Sequence, residues 1–189
     1  MLFQIVSFLF DIVFGLLAGA CLLRLYMQRS RVPFGNPVGR FVMALTNWLV
    51  LPLRRALPAI GGWDSASLLG ALLLELLHYG LLLVLTGVFA DLGLSLLHVL
   101  VFALFGLLHL ALSGLMGLVI LYAILSWTQT DSPISDVIDR LCAPPLRPLR
   151  RLLPLVGGMD LSPLALLVIV QVLQMVLAGL QPVVLGLLR

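Results

Sequence analysis

The sequence has very few charged residues and no lysine. Asp, Glu, Lys and Arg make up 10% of its 189 residues, whereas hydrophobic residues make up 62%. A soluble domain is roughly 25% charged and roughly 45–50% apolar, so this composition excludes that class. The basic residues are all arginines that lie between apolar segments, which favours membrane topology over nucleic-acid binding as their explanation. The chain is therefore interpreted as an integral membrane protein whose spans need roughly 20 apolar residues each.

Three further absences limit what the chain can be. With only two cysteines, Cys21 and Cys142, the sequence has no disulfide framework, and we expect both thiols to be reduced. No basic residue precedes Asp11, so the first apolar segment lacks the positive start of a signal peptide and should remain as a span. The sequence shows no nucleophile–base pair, no metal cluster and no phosphate-binding glycine loop. We therefore expect no enzymatic activity, no catalytic residues, no metal and no cofactor.

One motif is present twice. Residues 52–64 are PLRRALPAIGGWD, and residues 148–160, at a constant offset of 96, are PLRRLLPLVGGMD, with nine of thirteen positions identical. A leucine-rich composition does not by itself produce matched arginine pairs, glycine pairs and aspartates. A repeat of this kind predicts two copies of one supersecondary unit, which we place at residues 1–91 and 92–189.

Apolar runs and helix-start signals predict the same plan for both units. Spans are predicted at about residues 2–27 and 66–90, and again at about 164–188 near the end of the chain. The pairs Asn36-Pro37 and Ser132-Pro133 are typical helix starts, and each is followed by a short apolar stripe at helical spacing. Each stripe is too short to cross a membrane, so it should lie in the interface.

Small and polar residues at the ends of these segments predict turns and caps. Prolines should break the two stripes, because proline cannot donate the helical hydrogen bond. The residues assigned to these roles are Pro52, Pro144, Pro145 and Pro148 as breaks, Gly61, Gly62, Gly157 and Gly158 as turns, and Asp64 or Ser65, Asp160, Ser162 and Pro163 as caps.

Residues 92–127 leave two alternatives open. This segment has no charged residue, and as one helix it would be about 54 Å long, well beyond a membrane core of ~30 Å. Either an interfacial piece at about 92–100 precedes one span, or a turn near Gly106 creates two spans. One span is favoured because it puts both arginine-rich loops on the cytoplasmic side. The prediction is an all-α membrane bundle of two tandem repeats with four spans and both termini outside.

The repeated motif resembles the YggT (YlmG-type) family of bacterial and plastid membrane proteins, in its tandem form. Residues 148–154 and 157–163, preceded by ILSW at 124–127, carry the resemblance, and residues 52–64 with 23–25 carry it in the first unit. The first unit departs from the pattern, with Ala66-Ser67 in place of Ser162-Pro163 and Gln28-Arg29 in place of Ser126-Trp127. We therefore expect the two copies not to be equivalent.

The resemblance implies a location in the bacterial inner membrane and gives only broad functional expectations. Members of the family have been linked to osmotic tolerance, to gene neighbourhoods concerned with cell division and, in plastids, to the biogenesis of membrane complexes. No catalytic activity follows from the resemblance.

Four ionisable residues lie inside predicted spans, where such groups are costly and are functional candidates. Arg24 is near the end of its span, so we expect it to extend towards the headgroups. Asp11 and His78 should lie at similar depth and are predicted to pair between the first two spans, with Glu75 nearer Arg24. This group is interpreted either as a structural pair that holds two helices together or as a proton or cation relay.

Two further patterns have plain structural explanations. Gly15 and Gly19 form a GxxxG motif, for which packing inside the chain's own bundle is favoured over homodimerisation. His98 and His109 share a helix face and could in principle bind haem together with His78. We expect His109 close to the outer surface, at a different depth from His78, so haem binding is not expected.

The arginine pairs of the repeated motif are the strongest polar feature. Arg54-Arg55 and Arg150-Arg151 each follow an interfacial stripe, where guanidinium groups can bind lipid phosphates. They are interpreted either as topological anchors or as a docking surface for anionic lipids or a cytoplasmic partner.

Two functions follow as hypotheses. The first is a non-enzymatic assembly or scaffold protein whose partners are anionic lipids and a membrane protein or further copies of itself, without nucleic acid. The second is a small transport or ion-homeostasis protein that uses Asp11, Glu75 and His78.

Overall fold

A computed structural model describes residues 1–56, 64–86, 92–128, 132–152 and 160–187 of the chain, without the side chains of residues 92–95 and 127. The predicted turn residues Gly61, Gly62, Gly157 and Gly158 lie outside the described residues. The boundary predicted at residue 91 lies outside them as well, so the division into units 1–91 and 92–189 stays a prediction.

The described part of the chain forms six helices and contains no strand. Their bounds are α1 Leu2–Arg29, α2 Pro37–Ala56, α3 Ser65–Thr86, α4 Leu92–Thr128, α5 Pro133–Leu152 and α6 Ser162–Leu187. Within these residues, four helical segments are long and apolar enough to cross a membrane, namely α1, α3, residues Leu96–Ser126 of α4, and α6. The predicted all-α, multi-pass membrane fold with four spans is confirmed.

Side-chain caps explain where the two amphipathic helices, α2 and α5, begin. Asn36 Oδ1 accepts a hydrogen bond from the Gly39 backbone N–H at 2.8 Å. Ser132 and Ser135 bond reciprocally, each hydroxyl accepting from the other residue's backbone N–H, at 3.2 and 3.0 Å. Both arrangements satisfy N–H groups that have no partner inside the helix.

Helix α4 differs from both alternatives for residues 92–127. It is one continuous helix of 37 residues, with neither a break near residue 100 nor a turn at Gly106. The sequence has no proline between residues 92 and 132, so every residue of this leucine-rich run can extend the backbone hydrogen-bond ladder. The helix crosses once and is about 55 Å long at ~1.5 Å per residue, so it must tilt or extend beyond the membrane core.

The expectation that prolines end the interfacial stripes is wrong. Helix α2 continues past Pro52 to Ala56, and α5 continues past three prolines to Leu152. A proline costs one helical hydrogen bond and crowds the preceding turn, but packing of an apolar face can outweigh that cost. In α5, Leu146 lies between the proline positions and is fully buried in a cluster with Val119 of α4 and Val170 of α6.

The packing joins the two halves at one end of the bundle. Helices α1, α2 and α3 pack together, as do α4, α5 and α6, and α3 packs against α4. A separate cluster joins α1 and α2 to α5 through Met27, Val42, Val137 and Leu141. The Tyr26 hydroxyl on α1 donates to the Leu141 carbonyl on α5 at 2.6 Å. The two arginine-rich helices therefore lie beside each other at the same end.

Small residues allow α1 to approach its neighbours closely. Ala18 on α1 and Ala71 on α3 are fully buried in one cluster. Gly19 lies on the side of α1 that faces α4, where a β-carbon would be 3.9 Å from the Leu110 side chain. The GxxxG motif thus faces the chain's own bundle, one of the two uses expected for it.

Truncating Leu141 to alanine should destabilise the contact between the halves. The side chain extends from α5 and is buried against α1 and α2, so its loss leaves a cavity there. We expect the free energy of unfolding to fall by about 2 kcal/mol. The measurement is reversible unfolding in mixed micelles. Leu121→Ala removes the same atoms from a half-exposed position on α4 and should change the unfolding free energy little. Equal losses in the two variants would contradict the assigned packing.

Candidate functional site

The aspartate of each repeated motif bonds the first arginine of the same motif. Arg54 Nη2 donates to Asp64 Oδ2, and Arg150 Nε donates to Asp160 Oδ2 at 2.8 Å. We call these two pairs the arginine–aspartate links. Each link connects the last turn of an amphipathic helix to the start of the next span. The repeated spacing of ten residues between arginine and aspartate therefore has a structural cause.

Both aspartates also bind the start of the helix that follows them. The Ser67 hydroxyl donates to Asp64 Oδ2 at 2.7 Å, and the Ser67 backbone N–H points to Asp64 Oδ1 at 3.4 Å. At the other link, the backbone N–H of Ser162 donates to Asp160 Oδ1 at 2.9 Å. Carboxylates at these positions satisfy helical N–H groups and interact favourably with the positive end of the helix dipole.

The environment of Asp160 lowers its pKa. Partial burial acts to raise the pKa of this carboxyl, but hydrogen bonds from Ser162 and Arg150 outweigh burial and hold the pKa below its usual range. A carboxyl whose pKa is lowered in the folded state contributes stability above its unfolded pKa and loses that contribution as pH falls through the folded pKa. The link is therefore formed at neutral pH.

The two members of each arginine pair have different contacts, and the expectation that they face headgroups stays a prediction. The side chains of Arg54 and Arg150 are 40% and 42% exposed, but each is engaged by its aspartate. Arg55 and Arg151 are exposed on the same helices. Only the second arginine of each pair is thus placed mainly towards the surroundings of the bundle.

The expectation that Arg24 extends to the headgroups is wrong. Arg24 is 3% exposed, and its Nη1 donates to Thr46 Oγ1 at 2.8 Å and to Asn47 Oδ1 at 2.9 Å. Its Nε also lies 3.8 Å from Asp64 Oδ2. A buried guanidinium group needs a counter-charge and hydrogen-bond acceptors, and α2 and the start of α3 supply both. Thr46 and Asn47 were not singled out in the sequence, because their partners are distant along the chain.

The second half has a tyrosine beside its link. The Tyr122 hydroxyl on α4 bonds Arg150 Nη2, and the guanidinium carbon of Arg150 lies 5.7 Å from the centroid of the Tyr122 ring. Asp64 therefore has two arginines near it, Arg24 and Arg54, whereas Asp160 is bound by one, Arg150, whose guanidinium group also bonds Tyr122. The two copies differ in charge at this point, as the departures in the first motif led us to expect.

A partly open cavity of about 380 Å³ lies between α1, α3, α4 and α6, and two of the residues that line it, Asp11 and His109, are exposed. We call it the central cavity. Its polar lining includes Asp11, Glu75, His78, Tyr79, His109 and Gln181. Three of these were expected to form a group, and the structure places all three at one cavity. Tyr79, His109 and Gln181 were not singled out as members of it.

His78 lies at the centre of this group. Its Nε2 is 3.0 Å from Asp11 Oδ1, and its Nδ1 is 3.8 Å from Glu75 Oε2. The imidazole ring stacks on Phe14 with centroids 5.4 Å apart. The structure thus brings Asp11 and His78 together between the first two spans. Glu75 lies beside His78 rather than Arg24, whose partners are on α2 and at the start of α3.

His109 lies at a different depth from the one expected. It lines the central cavity together with His78 instead of lying near the outer surface. The cause is the continuous α4, which puts residue 109 near the middle of a 37-residue helix. Among the described residues, no three His, Cys, Asp or Glu side chains are arranged to hold a metal ion.

Gly106 allows the close contact of α3 with α4 beside the cavity. A β-carbon at residue 106 would lie 2.9 Å from Glu75 Oε2 and 2.8 Å from the Tyr79 ring. The side chains of Glu75 and Tyr79 on α3 therefore pack directly on Gly106, which lies inside α4 and does not form the turn that was one of the predicted alternatives. Further along α4, Ser113 also lines the cavity, and Gln174 of α6 donates to its Oγ at 3.0 Å.

These features define a class: an all-α, multi-pass membrane protein with paired arginine–aspartate links and a polar cavity among its spans. The sequence profile of the CCB3/YggT family matches residues 2–85 and 101–181. The chain belongs to the CCB3/YggT family, as its repeated motif predicted.

Relatives in other bacteria resemble the chain over most of its length. The Escherichia coli (strain K12) uncharacterised protein YggT is 37% identical over 170 residues, which cover 89% of this chain and 87% of the relative. An uncharacterised protein from the proC 3′ region of Vibrio alginolyticus is 38% identical over 166 residues, covering 86% of this chain and 87% of the relative. An uncharacterised Haemophilus influenzae protein is 32% identical over 163 residues, covering 83% and 82%. No solved structure matches the chain.

Neutralising the two link aspartates should have unequal effects. Asp64→Asn leaves the buried Arg24 without its counter-charge, and we expect a loss of about 3 kcal/mol or more in unfolding free energy. Asp160→Asn affects only the partly exposed Arg150, so its loss should be about 1 kcal/mol or less. Unfolding in mixed micelles at neutral pH measures both. Equal losses would contradict the proposed difference between the halves.

Gly106→Ala should disturb the contact between α3 and α4. The added methyl group meets Glu75 and Tyr79, so we expect these side chains to shift at a cost of about 1–3 kcal/mol. The measurement is thermal unfolding of the purified protein. The matched variant is Gly114→Ala on the same helix, where a β-carbon meets nothing within 4 Å and stability should not fall. A neutral Gly106→Ala would show that the helices are not in close contact there.

Proposed function

We propose that the chain is a non-enzymatic assembly or scaffold protein of the bacterial inner membrane that acts through one arginine-rich face. The observation that carries this proposal is the position of α2 and α5 beside each other at one end of the bundle. We call the exposed surface of these two helices the basic face. Its exposed arginines outside the two links are Arg40, Arg55, Arg140, Arg147 and Arg151.

The charge distribution supports a cytoplasmic basic face. Arginines concentrate on the cytoplasmic side of membrane proteins, and here both arginine-rich helices lie at the same end. With four spans, this orientation puts both termini outside. Guanidinium groups at the interface can bind anionic lipids as well as an acidic surface of a membrane-protein partner or a second copy of the chain.

The resemblance to the family supplies the cellular context of the proposal. We propose a part in osmotic tolerance or in processes of the cell envelope and division, with no enzymatic step and no nucleic-acid partner. The scaffold acts by holding partners at the membrane surface, which needs a stable bundle and an exposed basic face. The arginine–aspartate links contribute the first of these, and the exposed arginines contribute the second.

Recovery of partners from native membranes tests the scaffold function. We expect a recurrent protein or anionic lipid at comparable stoichiometry, detected by mass spectrometry of the chain in lipid nanodiscs. Exchanging Arg55, Arg147 and Arg151 for glutamine should abolish that recovery without weakening the links, because Arg54 and Arg150 are retained. Exchanging the same three for lysine keeps the charge and should preserve recovery. If the glutamine variant recovers the same molecules, the arginines act only as anchors and the scaffold proposal fails.

The central cavity favours a second candidate, a small transport or ion-homeostasis protein. Buried ionisable groups inside a membrane bundle mark pathways for ions and protons in many transporters. A transport role predicts that Asp11→Asn and His78→Gln abolish function at normal abundance in the membrane. A scaffold that still folds tolerates both exchanges. Growth under osmotic stress, compared with the amount of each variant in the membrane, distinguishes the two candidates.

A further inference from the structure

The central cavity is acidic. Two carboxylates, Asp11 and Glu75, face it, and no arginine is among the described residues that line it. Arg24, the basic residue inside the spans, has its partners Thr46, Asn47 and Asp64 elsewhere. The two carboxylates share one imidazole, that of His78, at 3.0 and 3.8 Å, and the side chain of Asp11 is 61% exposed, so a cation can approach it. The electrostatics of the cavity therefore favour a positively charged ligand.

The polar groups in the cavity face one another without being fully hydrogen-bonded. His78 is 7% exposed, and its Nε2 makes no hydrogen bond although Asp11 Oδ1 lies 3.0 Å away, because the geometry at the ring nitrogen is unsuitable. Its Nδ1 is 3.8 Å from Glu75 Oε2, beyond hydrogen-bond distance. Buried polar atoms are nearly always hydrogen-bonded in native proteins. A cation that carries several N–H donors would satisfy such a set of acceptors.

We propose that the central cavity binds a small ammonium-type cation, either ammonium or a short protonated primary amine. The acceptors would be the carboxylates of Asp11 and Glu75 together with the imidazole of His78. A bare metal ion fits less well, because the described residues contain no converging set of three metal ligands. The volume of about 380 Å³ is also in the range of cavities that hold small molecules of several atoms.

Aromatic rings beside the acceptors suit the same ligand. Tyr79 and Phe105 both line the cavity, and the ring centroid of Tyr79 is 4.8 Å from that of His78. Ring faces attract ammonium groups through their quadrupole. A site with two carboxylates, an orphan imidazole nitrogen and neighbouring rings combines the main means by which proteins recognise ammonium groups.

Gly15 keeps one side of the cavity open. It lines the cavity, and a β-carbon at residue 15 would meet nothing within 4 Å. A larger side chain at this position can therefore enter the cavity without displacing packed groups. This gives a steric test of ligand binding that leaves Asp11, Glu75 and His78 unchanged.

The test is calorimetric titration of methylammonium chloride into the full-length protein in lipid nanodiscs, with sodium chloride keeping the ionic strength constant. We expect saturable binding at one site. Gly15→Leu should weaken it through occupation of the cavity, and Asp11→Asn through loss of charge, each by roughly tenfold or more. Gly117→Leu is the matched control, because a β-carbon there also meets nothing within 4 Å and Gly117 does not line the cavity.

Three results would overturn the proposal. The first is that the wild-type protein shows no saturable binding of methylammonium. The second is that both Gly15→Leu and Asp11→Asn leave the binding unchanged. The third is that sodium binds the site as tightly as methylammonium does. If Asp11→Asn lowers thermal stability, Gly15→Leu alone decides the question, since a purely structural Asp11–His78 pair does not depend on space at residue 15.

The inference uses the cavity of the second candidate function but requires no transport. Methylammonium flux into liposomes that contain the same variants separates the two claims. Binding without flux supports the site and rejects transport. Flux that Gly15→Leu leaves intact would place the transport pathway outside this cavity, and the calorimetric titration alone would then decide on the site.

Discussion

A charge inside a bilayer must be neutralised and hydrogen-bonded, and two carboxylates meet this requirement where the chain enters its second and fourth spans. Asp64 and Asp160 each accept from an arginine at the end of an amphipathic helix and from a donor at the start of the following span. The links therefore hold each amphipathic helix against the span that follows it. With α2 and α5 held in this way, their apolar sides can pack together with α1, and both arginine-rich helices lie at the same end of the bundle.

The two halves use the same link in different surroundings. In the first half, Arg24 is buried beside Asp64 and depends on Thr46 and Asn47 for its hydrogen bonds. In the second half, a tyrosine hydroxyl binds the link arginine from outside, and no second charge is buried there among the described residues. The carboxylates of the central cavity also come from the first half, whereas the second half supplies a glycine, a histidine, a serine and a glutamine to its walls.

The basic face and the central cavity are separated along the bundle. Arg24 and Asp11 lie on the same helix, thirteen residues apart, which corresponds to about 20 Å at ~1.5 Å per residue. The exposed arginines of the basic face and the residues that line the cavity are different side chains. A scaffold role and a ligand-binding cavity are therefore compatible in one chain, and the two can be tested with separate variants.

The sequence by itself determined the membrane class, the four spans, the family, the polar residues of the repeated motif, and Asp11, Glu75 and His78 as polar groups within spans. It did so because hydrophobic length, helix-start residues and the repeated motif are local properties of the chain. It also indicated that Asp11 and His78 meet, since depth along two straight helices can be counted.

Tertiary structure alone decided the rest. Pro144, Pro145 and Pro148 remain helical because the neighbouring helices bury the face that carries Leu146, and Arg24 stays inside because Thr46, Asn47 and Asp64 surround it. His109 and Gly106 belong to the cavity because α4 is unbroken and packs on α3. Each of these outcomes depends on partners distant in sequence, which local patterns do not specify.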